Sequence, residues 1–218
     1  MIVGITGASG VIYGIRMLET LRRIGVETHL VMTRSAQVTL GFESDMGIAE
    51  VHDLASVNYP INDIGAAPSS GSFRTLGMVV APCSIRSMSE IASGVTGNLL
   101  TRSADVTLKE QRRLVLMLRE TPLHAGHIDT MSRASRMGAI IAPPVPAFYT
   151  RPESLDDIVD HSVGRVLDLF GLDAGTVKRW GEPDGSGPTP SDDYYVEAPS
   201  HDEYLARVDA RSDEGSES

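Results

Sequence analysis

Two short stretches place small and hydroxyl-bearing residues where an apolar run stops: Gly7-Ala8-Ser9-Gly10 after Ile2 to Ile5, and Ser84-Ile85-Arg86-Ser87 after Met78 to Ala81. Small residues let backbone N–H groups approach a ligand, and a helix starting behind the turn adds a partial positive charge, so both suit an anion. Ser9 contributes a hydroxyl as well. Plainer readings stand beside these. The first stretch lacks the full G-x-G-x-x-G spacing and equally fits a tight strand-to-helix turn, and Ser84 equally fits a helix N-cap. Two such loops on one sheet favour a nucleotide-like ligand.

Arg119 ends a third apolar run, Leu114 to Leu118, where a guanidinium is costly to hold unless a carboxylate or phosphate faces it. Its neighbour Glu120 is either that partner or an acid/base group tuned by the same surroundings. Glu43, in Gly41-Phe42-Glu43-Ser44-Asp45, reads in isolation as a surface carboxylate beside a helix end. His124 and His127 lie three apart without an evident third metal ligand, which favours surface or capping roles. Cys83, the lone cysteine, reads as a small buried hydrophobe rather than a nucleophile.

These residues need a scaffold that gathers strand ends. Ile2 to Ile5, Val26 to Met32, Met78 to Ala81, Leu114 to Leu118 and Ala139 to Ala142 read as strands. Helical patterns follow Gly10 and cover Ser87 to Ser93, Ala104 to Arg112, His127 to Arg136 and Ser154 to Phe170. Such alternation predicts a Rossmann-like or flavodoxin-like α/β three-layer sandwich with a mostly parallel sheet, and ligands there sit beyond the carboxyl ends of the strands. The segments Thr6 to Gly10, Thr33 to Ser35, Pro82 to Ser87, Arg119-Glu120 and Pro143 to Tyr149 all follow strands and share that crevice. Ser69-Ser70-Gly71-Ser72 reads as a linker or a mobile lid.

The bulk properties narrow the class. The 218 residues, 41% apolar, suffice for one full-sized core, and the net charge of −10 argues against a general nucleic-acid binder. Neither a long apolar span nor a signal-like leader is read, which predicts a cytoplasmic protein without membrane attachment. Residues 1–180 form the expected domain. Residues 181–218 are an acidic Gly/Pro/Ser-rich extension, either solvated or docked on a neighbouring subunit.

Read in order, T-G-A-S-G-x-x-Y-G-x-R, F-E-S-D, S-S-G-S, A-P-C-S-I-R-S, N-L-L-T-R-S-A-D-V-T-L-K-E, L-R-E-T-P-L and P-P-V-P-A-F-Y-x-R-P closely resemble the UbiX/Pad-type flavin prenyltransferase family, from about Ile2 to Trp180. The resemblance implies transfer of a dimethylallyl group from dimethylallyl phosphate to N5 and C6 of reduced FMN, without a metal. It also implies delivery of prenyl-FMN to a UbiD-type decarboxylase, and a homo-oligomer, a dodecamer built from trimers. By position, Gly7, Ala8, Ser9, Thr33, Ser84, Ile85, Arg86, Ser87 and Arg119 match the FMN-binding set. Arg102, Lys109, Arg119, Tyr149 and Arg165 match the group holding dimethylallyl phosphate, partly across a subunit interface. Ser9 is expected near flavin N5, and Glu43 and Glu120 match acid/base residues. Trp180 either offers an aromatic face to the allyl cation or anchors the tail. Arg86, Ser87 and Ser103, and Thr33-Arg34, depart mildly from the family's usual residues while the loop donors are kept. Rival readings are an FMN-dependent decarboxylase and a non-catalytic flavin-carrying subunit of an aromatic-acid decarboxylase.

Overall fold

The computed structural model describes residues 1–179. Six strands, β1 (Ile2–Ile5), β2 (His29–Met32), β3 (Val57–Tyr59), β4 (Gly77–Cys83), β5 (Arg113–Leu118) and β6 (Ala139–Ile141), form one sheet in the order β3-β2-β1-β4-β5-β6. Every pairing is parallel. The chain winds outward in one direction from β1 and in the other from β4. The gap between the loops after these two strands is therefore the topological switch point where such sheets bind ligands.

Helices α1 (Val11–Arg23), α2 (Arg34–Glu43), α3 (Ile48–Leu54), α4 (Ile85–Ala92), α5 (Leu99–Lys109), α6 (Ala125–Arg136) and α7 (Leu155–Asp168) fill the connections, with single 3-10 turns at Ala67–Ser69 and Phe148–Thr150. Strand residues alternate between two cores. Val3, Ile5, Val79, Ala81, Val115 and Met117 pack with α1 and α7 residues such as Leu18, Val163 and Leu167. Ile2, Met78, Val80, Leu114 and Leu116 pack with Met88, Leu100 and Ala134 from α4, α5 and α6. Both faces are covered, which is why the strands read as unbroken apolar runs.

Close packing brings α1 onto the centre of the sheet. A Cβ on Gly14 would lie 2.4 Å from the Ala81 carbonyl oxygen, a distance no side chain tolerates. Arg16 of α1 pairs with Asp160 and, at 2.8 Å, with Asp156, so α7 is tied over the same end of the sheet as the β1 loop.

Some boundaries differ from the sequence reading. β2 starts at His29 rather than Val26, because α1 ends in a left-handed Gly25 (φ +74) whose successor Val26 donates back to Leu21. α5 spans Leu99–Lys109 rather than 104–112. Asn98 opens it by accepting from the Thr101 N–H, and Gln111 at φ +55 follows its end. The edge strand β3 lies in Ala55-Ser56-Val57-Asn58-Tyr59-Pro60, too short a run to declare itself. Ser69 to Ser72 is neither linker nor lid. Arg102 donates to the Ser69 carbonyl, and Arg112 donates to those of Gly71 and Phe73, pinning the segment beside the end of α5.

Candidate active site

The loop after β1 is shaped by contacts within the chain. The Thr6 hydroxyl donates to the Pro82 carbonyl (2.7 Å) and accepts from the Ser84 N–H (2.8 Å), clipping the β1 and β4 loops together across the switch point. Gly7 backs onto α2, where an added Cβ would sit 2.4 Å from Ser35 Cβ. Gly10 takes φ +96 to open α1, a conformation glycine adopts without penalty.

The anion at the head of α1 is Glu43. Its Oε2 accepts from the Gly10 N–H (2.8 Å) and the Val11 N–H (3.0 Å), although it stands 32 and more residues away at the last position of α2. The expectation that this helix N-terminus awaits a ligand's charge is thereby corrected, because a carboxylate of the chain already takes the N–H groups. Burial pushes the Glu43 carboxyl up. The Ser9 hydroxyl, the two backbone N–H groups and the Arg119 charge outweigh it and hold the group below the ordinary carboxylate range. Glu43 is thus a carboxylate at neutral pH.

Arg119 emerges one residue past β5, its N–H bonded to the Cys83 carbonyl. Its charge acts on Glu43 and on Tyr13, whose phenol is raised by burial and partly lowered again by the guanidinium. Sequence adjacency suggested Glu120 as the partner of Arg119. The Glu120 carboxylate instead accepts from the Thr121 N–H (3.1 Å) on the exposed side of the turn. Ser9, Gly10, Ile12, Tyr13, Arg119 and Pro144, closed by Leu155 and Ile158 of α7, line a cavity of about 760 Å³. That lies within the roughly 300–1,000 Å³ typical of small-molecule sites.

Two further helix N-termini flank this cavity's loops. At α2 the Thr33 hydroxyl accepts from the Ala36 N–H and lies 3.0 Å from the Ser35 hydroxyl. At α4 the Ser84 hydroxyl caps by accepting from the Ser87 N–H, with the Ser87 hydroxyl 3.2 Å away. Both readings of Ser84 therefore hold at once: it is a cap, and it sits in a hydroxyl-rich loop beside the switch point. Ile85 is half-buried, while Arg86 points outward and pairs with Glu90 at 2.9 Å. Cys83 is fully buried, and burial pushes its thiol up to about 12, which rules it out as a nucleophile at neutral pH.

Tyr149 faces a residue of α7 that the sequence reading passed over, one turn before Arg165. The Tyr149 hydroxyl lies 3.4 Å from Nε2 of His161, edge-to-face with its ring, and Arg165 follows His161 by one turn of α7, pairing with Asp168 at 2.6 Å. No spacing rule singles out His161. Its position in the buried stripe of α7 was the available signal.

Arg102 and Lys109 are not part of this cluster within one chain. Arg102 pairs with Asp105, Lys109 pairs with Glu110, and the end of α5 leads into the start of β5. At about 3.3 Å per residue, six-residue β5 separates Lys109 from the strand ends by about 20 Å. His124 caps α6 by accepting from the His127 N–H (3.4 Å), with the two imidazoles 3.5 Å apart. No cluster of three metal-ligating side chains occurs among the described residues. Trp180 and the 181–218 extension lie outside the described residues.

The family model described as Flavoprotein matches residues 1–167. The chain is 56% identical over 180 residues to the flavin prenyltransferase UbiX of Thauera aromatica, covering 83% of this chain and 93% of that one. The chain belongs to the UbiX flavin prenyltransferase family. Solved UbiX structures agree in fold. AnUbiX (PadA1), crystallised in complex with FMN and dimethylallyl pyrophosphate, superposes with a TM-score of 0.82 at 50% identity, covering 83% of this chain and 96% of its own. A dodecameric FMN-dependent UbiX-like decarboxylase from Escherichia coli O157:H7 superposes at 0.81 and 47% identity, covering 83% and 98%. In this UbiX-family chain the loops after β1 and β4 are neighbours, joined by Thr6. Thr6, Tyr13 and His161 complete the surroundings of the residues expected from sequence.

Proposed function

We propose that this chain transfers a dimethylallyl group from dimethylallyl phosphate to reduced FMN, and that the Ser9, Glu43 and Arg119 constellation at the switch point is where it does so. The observation that carries the reading is Glu43 itself: a carboxylate held ionised by Ser9, two backbone N–H groups and Arg119, of which Ser9, Gly10 and Arg119 line a cavity of flavin-compatible size. The residues present fit FMN. Hydroxyls at Thr33, Ser35, Ser84 and Ser87 with the N-termini of α2 and α4 suit its phosphate, and Gly7, Ala8 and Ser9 let the ring approach the backbone. Reduced FMN supplies the nucleophilic N5 and C6 positions to which the prenyl carbons are joined.

The protein groups divide the remaining work. Tyr149 and Arg165 hold the phosphate of dimethylallyl phosphate, and Arg119 adds positive charge where its bridging oxygen leaves as inorganic phosphate. Glu43, being ionised, acts as base and takes the proton released at C6. Glu120, on the rim of the same strand end, is the second acid/base group. Lys109 reaches the phosphate from a neighbouring subunit of a homo-oligomer, since its own chain keeps it beyond the opposite ends of the strands, and Arg102 of the same helix joins it there. The product serves a UbiD-type decarboxylase, and the protein acts in the cytoplasm. Among the described residues no helix is long and apolar enough to cross a membrane.

The test is anaerobic incubation with reduced FMN and dimethylallyl phosphate, then mass analysis of the released flavin. The expected result is a gain of one prenyl unit, and an unchanged flavin mass would sink the reading. Decarboxylase activity of the isolated protein on aromatic acids, without prenyl transfer, would favour the rival reading instead.

A further inference from the structure

The Ser69-Ser70-Gly71-Ser72 stretch stood out in the sequence, and the reaction as drawn above gives it no task. It is fixed along its whole run. Arg102 donates to the Ser69 carbonyl, half-buried Arg112 donates to those of Gly71 (2.8 Å) and Phe73 (2.6 Å), and the Phe73 ring stands edge-on against buried His29 at 4.9 Å. Between these anchors Gly71 meets two charged side chains. A Cβ built there would lie 2.2 Å from Glu110 Oε1 and 2.7 Å from Lys109 Nζ. Gly71 is not in the left-handed region, so space rather than backbone conformation calls for glycine here. Its bare backbone is the floor on which the Lys109–Glu110 pair rests.

That pair forms between residues that do not normally meet. Adjacent side chains leave a helix about 100° apart and face different ways. Lys109 is the last residue of α5 and Glu110 follows it, yet ammonium and carboxylate come together over Gly71. Arg112 supplies the reason. Its Nη2, held by the Gly71 carbonyl, lies 4.0 Å from Glu110 Oε2, while Oε1 accepts from Lys109. The carboxylate is thus set between a fixed guanidinium and an ammonium on a flexible four-carbon stem. The Lys109 hydrogen bond and charge, and after them the Arg112 charge, hold the Glu110 carboxyl below the ordinary carboxylate range.

We propose that Glu110 is a positioning residue for the dimethylallyl phosphate site: anchored by Arg112 over bare Gly71, it holds the Lys109 ammonium in the place from which it reaches the phosphate bound to a neighbouring subunit. The inference rests on the reading of Lys109 as a phosphate ligand. An ammonium has three N–H donors, so one stays on Glu110 while another serves the phosphate. Without the carboxylate, the long side chain is ordered by the substrate alone, and binding weakens by that lost entropy. A carboxylate that merely competed with the phosphate for the ammonium would have the opposite effect, and its removal would tighten binding.

The test measures KM for dimethylallyl phosphate and kcat anaerobically in Gly71→Ala, Glu110→Ala, Glu110→Gln and Lys109→Ala, and in Gly71→Ala and Glu110→Ala each combined with Lys109→Ala. Flavin binding and thermal unfolding check the fold. Glu110→Ala is expected to raise KM about three- to fivefold, the upper span for an exposed ion pair, with kcat changed less than about twofold. Glu110→Gln keeps an acceptor of the same shape and is expected to raise KM less. In Gly71→Ala the new Cβ meets only the ends of two flexible side chains, so KM is expected to rise while the unfolding temperature stays nearly unchanged. In the Lys109→Ala background neither change is expected to alter KM further, because both act through the ammonium. A KM that falls or stays unchanged in Glu110→Ala, or that rises as much without Lys109 as with it, overturns the proposal. An unchanged KM in Lys109→Ala overturns the reading of Lys109 beneath it, and the proposal with it.

Discussion

Glu43 shows how far a residue's meaning depends on its partners. In sequence it is one acid near the end of a helix; in the structure it closes the head of α1 and faces Ser9 and Arg119. No local pattern announces this, because the partners stand more than thirty residues away. Glu43→Gln is expected to leave FMN binding nearly intact and slow prenyl transfer at least about tenfold, the usual span for an acid/base group, measured as product mass per bound flavin. Loss of flavin binding with unchanged turnover per bound flavin would contradict that role. The same substitution removes a negative charge from a helix N-terminus and is expected to lower stability by about 0.3–1 kcal/mol in denaturant unfolding. The position of Arg119 at a strand end was legible, whereas two expectations about it fail: its guanidinium is exposed rather than costly to hold, and its charge acts on Glu43 while the adjacent Glu120 turns away to Thr121.

Among the elements, strands covered on both faces were the easiest to read, because burial leaves apolar runs of β1, β4 and β5 with little interruption. Edge strand β3, with two half-buried residues flanking an exposed Asn58, and the start of α5, set by Asn98 and Thr101, left weaker marks. The contact between α1 and β4 left none: Gly14 looks like any helical glycine until the Ala81 carbonyl is found against it. Gly14→Ala is expected to destabilise the fold by about 1–3 kcal/mol, as overpacking does, and to widen the switch point enough to weaken flavin binding. Unaltered stability in this variant would mean that α1 is free to shift. Thr6→Val, which removes both hydrogen bonds of the clip at similar volume, is expected to reduce FMN affinity more than it reduces stability, read by flavin fluorescence against thermal unfolding.

For the whole molecule, titration and surface decide behaviour. His29 and His161 have pKa values lowered first by burial, and Glu43 and Asp157 are held low by hydrogen bonds. All four bind more protons when unfolded, so their contributions are complete above the unfolded pKa values and are lost as pH falls, near 6.5 for the histidines and below about 4.5 for the acids. Thermal stability is therefore expected to decline in two steps between pH 7.5 and 3.5, and a curve that rises on acidification would contradict these assignments. Val38, Phe42, Val145, Phe148 and Leu155 leave large apolar side chains exposed, more than an isolated chain comfortably carries. Mixing Lys109→Ala and Tyr149→Phe subunits, each impaired alone, is expected to restore part of the activity, since some sites then combine an intact half from each. No recovery would place Lys109 outside the phosphate site. Sequence indicated such sharing through family resemblance alone; the separation of α5's end from the strand ends within one chain is consistent with it.

The carboxylate at the head of α1 also decides what the turn refuses. In dinucleotide enzymes with this sheet order, that helix end receives a bridging pyrophosphate. Here a pyrophosphate would meet Glu43 and be repelled, so NAD-like and FAD-like molecules are turned away while a mononucleotide, docking its phosphate elsewhere, is admitted. The flavin is then a visitor without its strongest mooring, as suits a molecule that must leave once it has been altered.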